Sequence, residues 1–121
     1  MANTFKTVTF AAEPASAGTA YKMYTCPSST TTVVLGLVLA NIHTTAVTAE
    51  LELVSDTSNR NGNNNVANGT SFLIKDVSIP QGSSLEILSG SKVILETTDA
   101  LKIDCSVADK LSGTLSIMEI S

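Results

Sequence analysis

Between Ser71 and Ile120 the chain repeats one phrase: a short apolar-alternating run, a break of Pro, Gly, Ser or Asp, then another run. The run 72–79 stops at Pro80-Gln81-Gly82, 84–88 at Ser89-Gly90-Ser91, and 92–96 at Thr97-Thr98-Asp99. Runs 101–105 and 115–120 complete the series. Strands of about 5–6 residues at spacings of roughly 8–12 are the pattern of an antiparallel sandwich or barrel. Upstream, runs 4–10, 21–26, 31–41 and 47–53 read as further strands, and no segment sustains a helical period. The expectation is an all-β chain: an antiparallel β-sandwich, jelly-roll-like, of about 8 strands.

Side-chain parity assigns faces within these runs. Val47, Ala49, Leu51 and Leu53 share one parity, with Glu50 and Glu52 on the other, so the glutamates face water. The run 31–41 is apolar on both parities, which predicts a strand covered on both faces, inside the sandwich or against a second subunit. Gly36 within it marks a bulge or a close backbone approach. The turn at 42–45 suggests that this run and 47–53 form a hairpin. In 21–26, Tyr21, Met23 and Thr25 would face one way, and Lys22, Tyr24 and Cys26 the other. Residues 11–18 (Ala-Ala-Glu-Pro-Ala-Ser-Ala-Gly) lack side chains able to anchor a core and read as an extended N-terminal arm. The expected organisation is a strand and arm over 1–20 and a sandwich domain over 21–121.

A chain of 121 residues forms one domain. Hydrophobic content is 43% but only 4% is aromatic, with no Trp, so Val, Ile and Leu build the core. The net charge of −4 and seven singly scattered Lys and Arg argue against nucleic acid, which demands clustered cations. The longest apolar stretch, 33–40, is far short of the roughly 20 residues of a spanning helix, and the first residues lack the pattern of a signal peptide. Buried free thiols are the expectation for Cys26 and Cys105, a disulfide between them being left open.

Catalytic chemistry has little to work with. His43, at the tip of the expected hairpin, is the single histidine, and no Gly-x-Ser-x-Gly elbow accompanies it. Residues 55–70 form an Asn-rich loop offering oxygens at Asp56, Ser58, Asn61 and Asn63. Arg60, however, stands where a calcium ligand belongs, and no Glu closes the loop. Asn68-Gly69-Thr70 matches a glycosylation acceptor and also a tight turn. Glu50 and Glu52, two apart on an exposed face, make a solvated strand edge and not a glycosidase pair. No cofactor, metal or enzymatic activity is expected. A ligand-binding module for sugar is the alternative, weakened by the shortage of aromatic residues.

The block 72–88, closing in Val77-Ser78-Ile79-Pro80-Gln81-Gly82-Ser83-Ser84-Leu85, continues into Lys92-Val93-Ile94-Leu95-Glu96 and Asp99-Ala100-Leu101-Lys102. It ends in Leu115-Ser116-Ile117-Met118-Glu119-Ile120. Over roughly the last 90 residues this resembles the small β-sandwich virion proteins of tailed bacteriophages. The resemblance implies a non-enzymatic capsid decoration or cement protein, or a neck or tail accessory protein, assembled in the host cytoplasm into the virion. Its partners would be the major capsid protein or neck and tail proteins, and copies of itself, as a trimer. It carries over no catalytic residue. Under this reading the candidate partner-binding residues are Phe5, Val8, Phe10 and Pro14 in the first strand and arm, and Asn59, Arg60 and Asn63 in the loop.

Overall fold

The computed structural model describes residues 2–55, 69–88 and 92–121. These form nine strands: β1 (Asn3–Glu13), β2 (Tyr21–Thr25), β3 (Thr31–Asn41), β4 (Val47–Ser55), β5 (Gly69–Ile79), β6 (Ser84–Ile87), β7 (Val93–Leu95), β8 (Ala100–Cys105) and β9 (Leu111–Ile120). One sheet runs β1-β9-β3, with β6 and β7 both on the far side of β3; the other runs β2-β8-β4-β5. All pairings are antiparallel. β6 pairs with the Leu37–Ala40 end of β3 and β7 with the Thr32–Val34 end, so they are two pieces of one interrupted strand. Counted so, the eight strands follow jelly-roll order. The all-β sandwich expected from the repeated phrase is the architecture of the chain.

The core lies between the sheets and is built by alternation. Val34, Leu37 and Leu39 of β3, Leu111, Leu115 and Ile117 of β9, Ala49 and Leu51 of β4, and Leu101 and Ile103 of β8 are fully or almost fully buried. Burying each of the Val, Leu and Ile side chains among them contributes about 1.5–3 kcal/mol. Gly36 sits at a register break between Val34 and the rest of β3, as its position in an apolar run suggests. The turn after β5 places Gly82 at φ +72, and Ser83 N donates to Pro80 O at 3.1 Å. A side chain at Gly82 would be strained.

Four expectations are corrected. β3 and β4 do not form a hairpin: β3 lies in one sheet and β4 in the other, and β4 pairs with β5 and β8. Asn41 fixes this crossing between layers. Its Nδ2 donates to Thr45 O (3.0 Å) and Ile79 O (2.9 Å), while Oδ1 accepts from His43 N (2.7 Å). In β2 a register break between Lys22 and Tyr24 resets the parity, so Met23, Tyr24 and Cys26 all reach inward.

The last strand begins at Leu111 and runs through Gly113, because both residues pair with β1 and β3, and the Phe10 ring occupies the space over that glycine. A Cβ there would lie 2.3 Å from Phe10 Cζ. The extended arm, finally, is not present among the described residues. Strand β1 continues to Glu13, and Pro14 beyond it is buried. Pro14 O accepts from Asp109 N (2.8 Å), Thr19 N closes a turn on Ser16 O (3.1 Å), and Gly18 N donates to Asp104 Oδ1 (3.2 Å). Backbone groups that a free arm would leave to water are satisfied by the body of the sandwich.

Candidate functional site

Strand register decides what each outer face of the sandwich presents. On the β1-β9-β3-β6/β7 sheet, Phe5 pairs with Met118, Met118 with Val33, and Val33 with Ile94. These side chains form an apolar row across all four strands, directed away from the core. Phe5 is 72% exposed, Ile94 54%, and Val38 on the same face 39%. The row is flanked by Thr7, Thr9, Thr114 and Ser116, which share its parity. Around the Gly36 bulge the surface is dished: one hollow of about 330 Å³ is lined by Leu35, Gly36, Val38, Glu86 and Thr114, and another of about 270 Å³ by Phe5, Thr7, Leu35 and Ser116. Nothing lies within 4 Å of where a Gly36 side chain would stand. Along the row itself no side chain needs a new hydrogen-bond partner when water leaves, whereas the flanking hydroxyls and the Glu86 carboxylate do.

The outer face of the other sheet is its opposite in chemistry. The corresponding row is Lys22–Lys102–Glu52–Phe72, again in direct register. Glu50 stands opposite Asp104, and Lys75 Nζ lies 3.0 Å from Glu50 Oε1 and 4.5 Å from the centroid of the Phe72 ring. The Glu50 carboxylate holds the Lys75 ammonium above its ordinary pKa. A hollow of about 340 Å³ on this face is lined by Glu50, Asp76, Asp104, Thr48 and Ser106. Asp104 Oδ1 in it already accepts from Gly18 N and from Cys105 N at 2.8 Å.

At one end of the sandwich a polar cluster ties four strands together. Tyr24 Oη donates to Glu119 Oε2 (2.6 Å) and lies 2.8 Å from Thr32 Oγ1, while Lys6 Nζ pairs with Glu119 Oε1 (2.7 Å). The Cys26 thiol sits 3.3 Å from Thr32 Oγ1 and donates to Thr30 O at 3.2 Å. Lys6, and then Tyr24, hold the Glu119 carboxyl below the usual range. Burial, then the bond to Glu119, pushes the Tyr24 hydroxyl well above its own. Burial likewise raises both thiols, which makes them poor nucleophiles. No buried side-chain N or O among the described residues lacks a partner. The cluster is a satisfied brace between the sheets.

The sequence candidates separate. Phe5 is on the apolar outer face and Val8 is half-buried, facing inward opposite Leu115. Phe10 is a core residue packed edge-on to the Tyr21 ring at 5.4 Å, and Pro14 is buried, so neither offers a surface. Asn59, Arg60 and Asn63 lie outside the described residues. Val33, Ile94 and Met118, absent from the candidates, join Phe5. Their signal was present in part: Ile94 and Met118 are apolar residues on the outward parity of their strands.

Cys26 and His43 stand beyond opposite ends of β3, roughly 30 Å apart along an extended strand, and cannot form a dyad. The thiols do not pair with each other either. Cys26 N bonds Asp99 O (2.8 Å), whereas Cys105 ends β8, roughly 20 Å along the chain from Asp99. A disulfide requires Cα atoms within about 7 Å. Both are free and buried.

No family model and no curated protein matches this chain. A solved structure of a Bacillus endospore appendage, described as belonging to a family of disulfide-linked pili, is similar to it at 15% identity and a TM-score of 0.47. The match covers 99% of this chain and 87% of that one. A likeness this distant says nothing of what this chain does.

Proposed function

We propose that this chain is a non-enzymatic structural protein of a tailed-bacteriophage virion, a capsid decoration or cement protein that attaches through the outer face of the β1-β9-β3-β6/β7 sheet. The observation that carries the reading is the apolar row Phe5–Met118–Val33–Ile94, set on a sandwich whose opposite face is charged. An isolated monomer has no use for such a row, whereas a docking subunit gains by burying it. The repeated strand phrases, with their resemblance to small virion proteins, supply the partner class: the major capsid protein, with neck or tail proteins as the alternative attachment point. Self-association belongs to the same reading.

Purified virions from the source of this sequence provide the test. The chain is expected among their proteins at a fixed copy number, and recombinant chain is expected to rebind virions from which it has been dissociated. Phe5→Asp should abolish rebinding while the chain stays folded. Gold labelling of rebound protein distinguishes head from neck or tail. Absence of the chain from virions, or rebinding unaffected by Phe5→Asp, overturns the proposal.

A further inference from the structure

An open sandwich leaves two unpaired edges per sheet, each offering backbone N–H and C=O groups to any strand that fits. Three of the four edges here are blunted. β2 is five residues long with a register break between Lys22 and Tyr24. β6 and β7 are fragments, with Leu88 after β6 at φ 68. β5 pairs across register breaks opposite Leu51 and carries Asp76 at φ 53. β1 differs. It pairs without interruption from Asn3↔Ile120 to Phe10↔Gly113, and no strand among the described residues lies on its other side. Lys6, the charge that would guard this edge, is drawn onto Glu119.

The backbone directions along β1 follow from one observed pair. Ala2 and Ser121 exchange both hydrogen bonds, Ala2 N to Ser121 O at 2.9 Å and Ser121 N to Ala2 O at 3.0 Å. In an antiparallel ladder such pairs alternate with pairs whose groups point outward. Thr4, Lys6, Val8 and Phe10 therefore bond β9, and Asn3, Phe5, Thr7 and Thr9 direct their N–H and C=O to the open edge. The same residues carry the outer-face side chains.

The segment also fits itself. Thr4-Phe5-Lys6-Thr7-Val8-Thr9-Phe10 is rich in β-branched and aromatic residues. Two copies laid antiparallel about a two-fold axis at Thr7 set Thr7 against Thr7 of the second copy and Phe5 against Thr9, all through outward backbone groups. Lys6 then faces Val8. An axis at Lys6 would oppose two ammonium groups and call on backbone groups already bonded to β9.

We infer that two copies of this chain join through their β1 edges, antiparallel about Thr7, merging their β1-β9-β3-β6/β7 sheets into one continuous sheet. The apolar rows of both copies then lie on a single surface, which deepens the attachment reading and rests on it. Residues 3–9 of β1 provide the strand addition.

Light scattering of the full chain should give a species of twice the 12.6 kDa monomer mass, with concentration-dependent dissociation. Thr7→Pro deletes an N–H that β9 does not use, so the fold should persist while the dimer dissociation constant rises roughly tenfold or more. Thr7→Cys should cross-link two copies on mild oxidation, because residues in such a pair lie about 5.5 Å apart at Cα. Asn3→Cys, set opposite Ala11, should not. A strict monomer, the trimer that the resemblance implies, a dimer indifferent to Thr7→Pro, or cross-linking of Asn3→Cys as readily as Thr7→Cys overturns the inference. If Thr7→Pro fails to fold, the two cysteine variants decide. A monomer that rebinds virions sinks this inference and leaves the virion proposal standing. A dimer in this register that ignores virions does the reverse.

Discussion

The two outer faces of this sandwich start from the same material and end in opposite chemistry. Both sheets point aliphatic side chains inward by strand alternation. On one, the outward parity carries Phe5, Met118, Val33 and Ile94; on the other, Lys22, Lys102, Glu52 and Phe72. Even the exposed Phe72 of the second face lies under the Lys75 ammonium. Covering the first face removes apolar area from water at about 25 cal/mol per Å², whereas covering the second strips hydrated ions first. The same fold thus offers one face suited to protein contact and one suited to solvent. Neither face is dictated by the core.

The largest expected effect comes from loosening the apolar face at its root. Gly113→Val drives a side chain into the Phe10 ring and pries β1 from β9. Overpacking of this kind costs about 1–3 kcal/mol, read as a shifted urea midpoint, and Phe10→Leu in the same chain should recover part of the loss. Next, a charge swap tests whether the faces differ in use. Ile94→Asp should weaken rebinding to virions roughly tenfold or more, whereas Lys102→Asp should leave it unchanged; equal losses would erase the contrast.

A smaller effect is expected from acid. Glu119 is held below its ordinary value of 4.5, so its contribution to stability is complete above that pH and is lost as pH falls through the lower, folded value. Thermal melts should therefore drop more steeply below about pH 4.5 in the wild type than in Lys6→Met, which lacks the principal cause. The smallest belongs to the charged face. Lys75→Ala removes a surface ion pair that water and salt already screen, and no resolvable change in melting temperature should follow.

The strand spacing made the sandwich legible, because turn residues fall where the ladders end: Pro80 and Gly82 after β5, Asp99 before β8. Parity was equally plain in β4, where Glu50 and Glu52 face outward as the alternation predicts. It failed wherever a bulge resets the count. Tyr24 and Cys26 turn inward because β2 slips one position, and nothing local to that run announces the slip. The apparent hairpin of β3 and β4 failed for another reason: a short connection between two apolar runs looks alike whether it turns within a sheet or crosses between sheets. The apolar face was half visible. Two-sided apolarity flagged β3, but only the register aligns Phe5, Met118, Val33 and Ile94 from four distant segments into one row.

The placement of β9 has a consequence for how the chain acquires its structure. β9 lies between β1 and β3, so the strand translated last of the nine joins partners translated early. Until it emerges from the ribosome, β1 has no neighbour in its sheet, and its Thr-rich, unprotected length waits beside other nascent copies. Ladders of such long sequence separation form slowly. The sandwich should therefore remain incompletely folded until β9 has emerged and then close in one step. Shortening β9 from its C-terminal end should consequently trap chains in aggregates, far out of proportion to the few contacts removed.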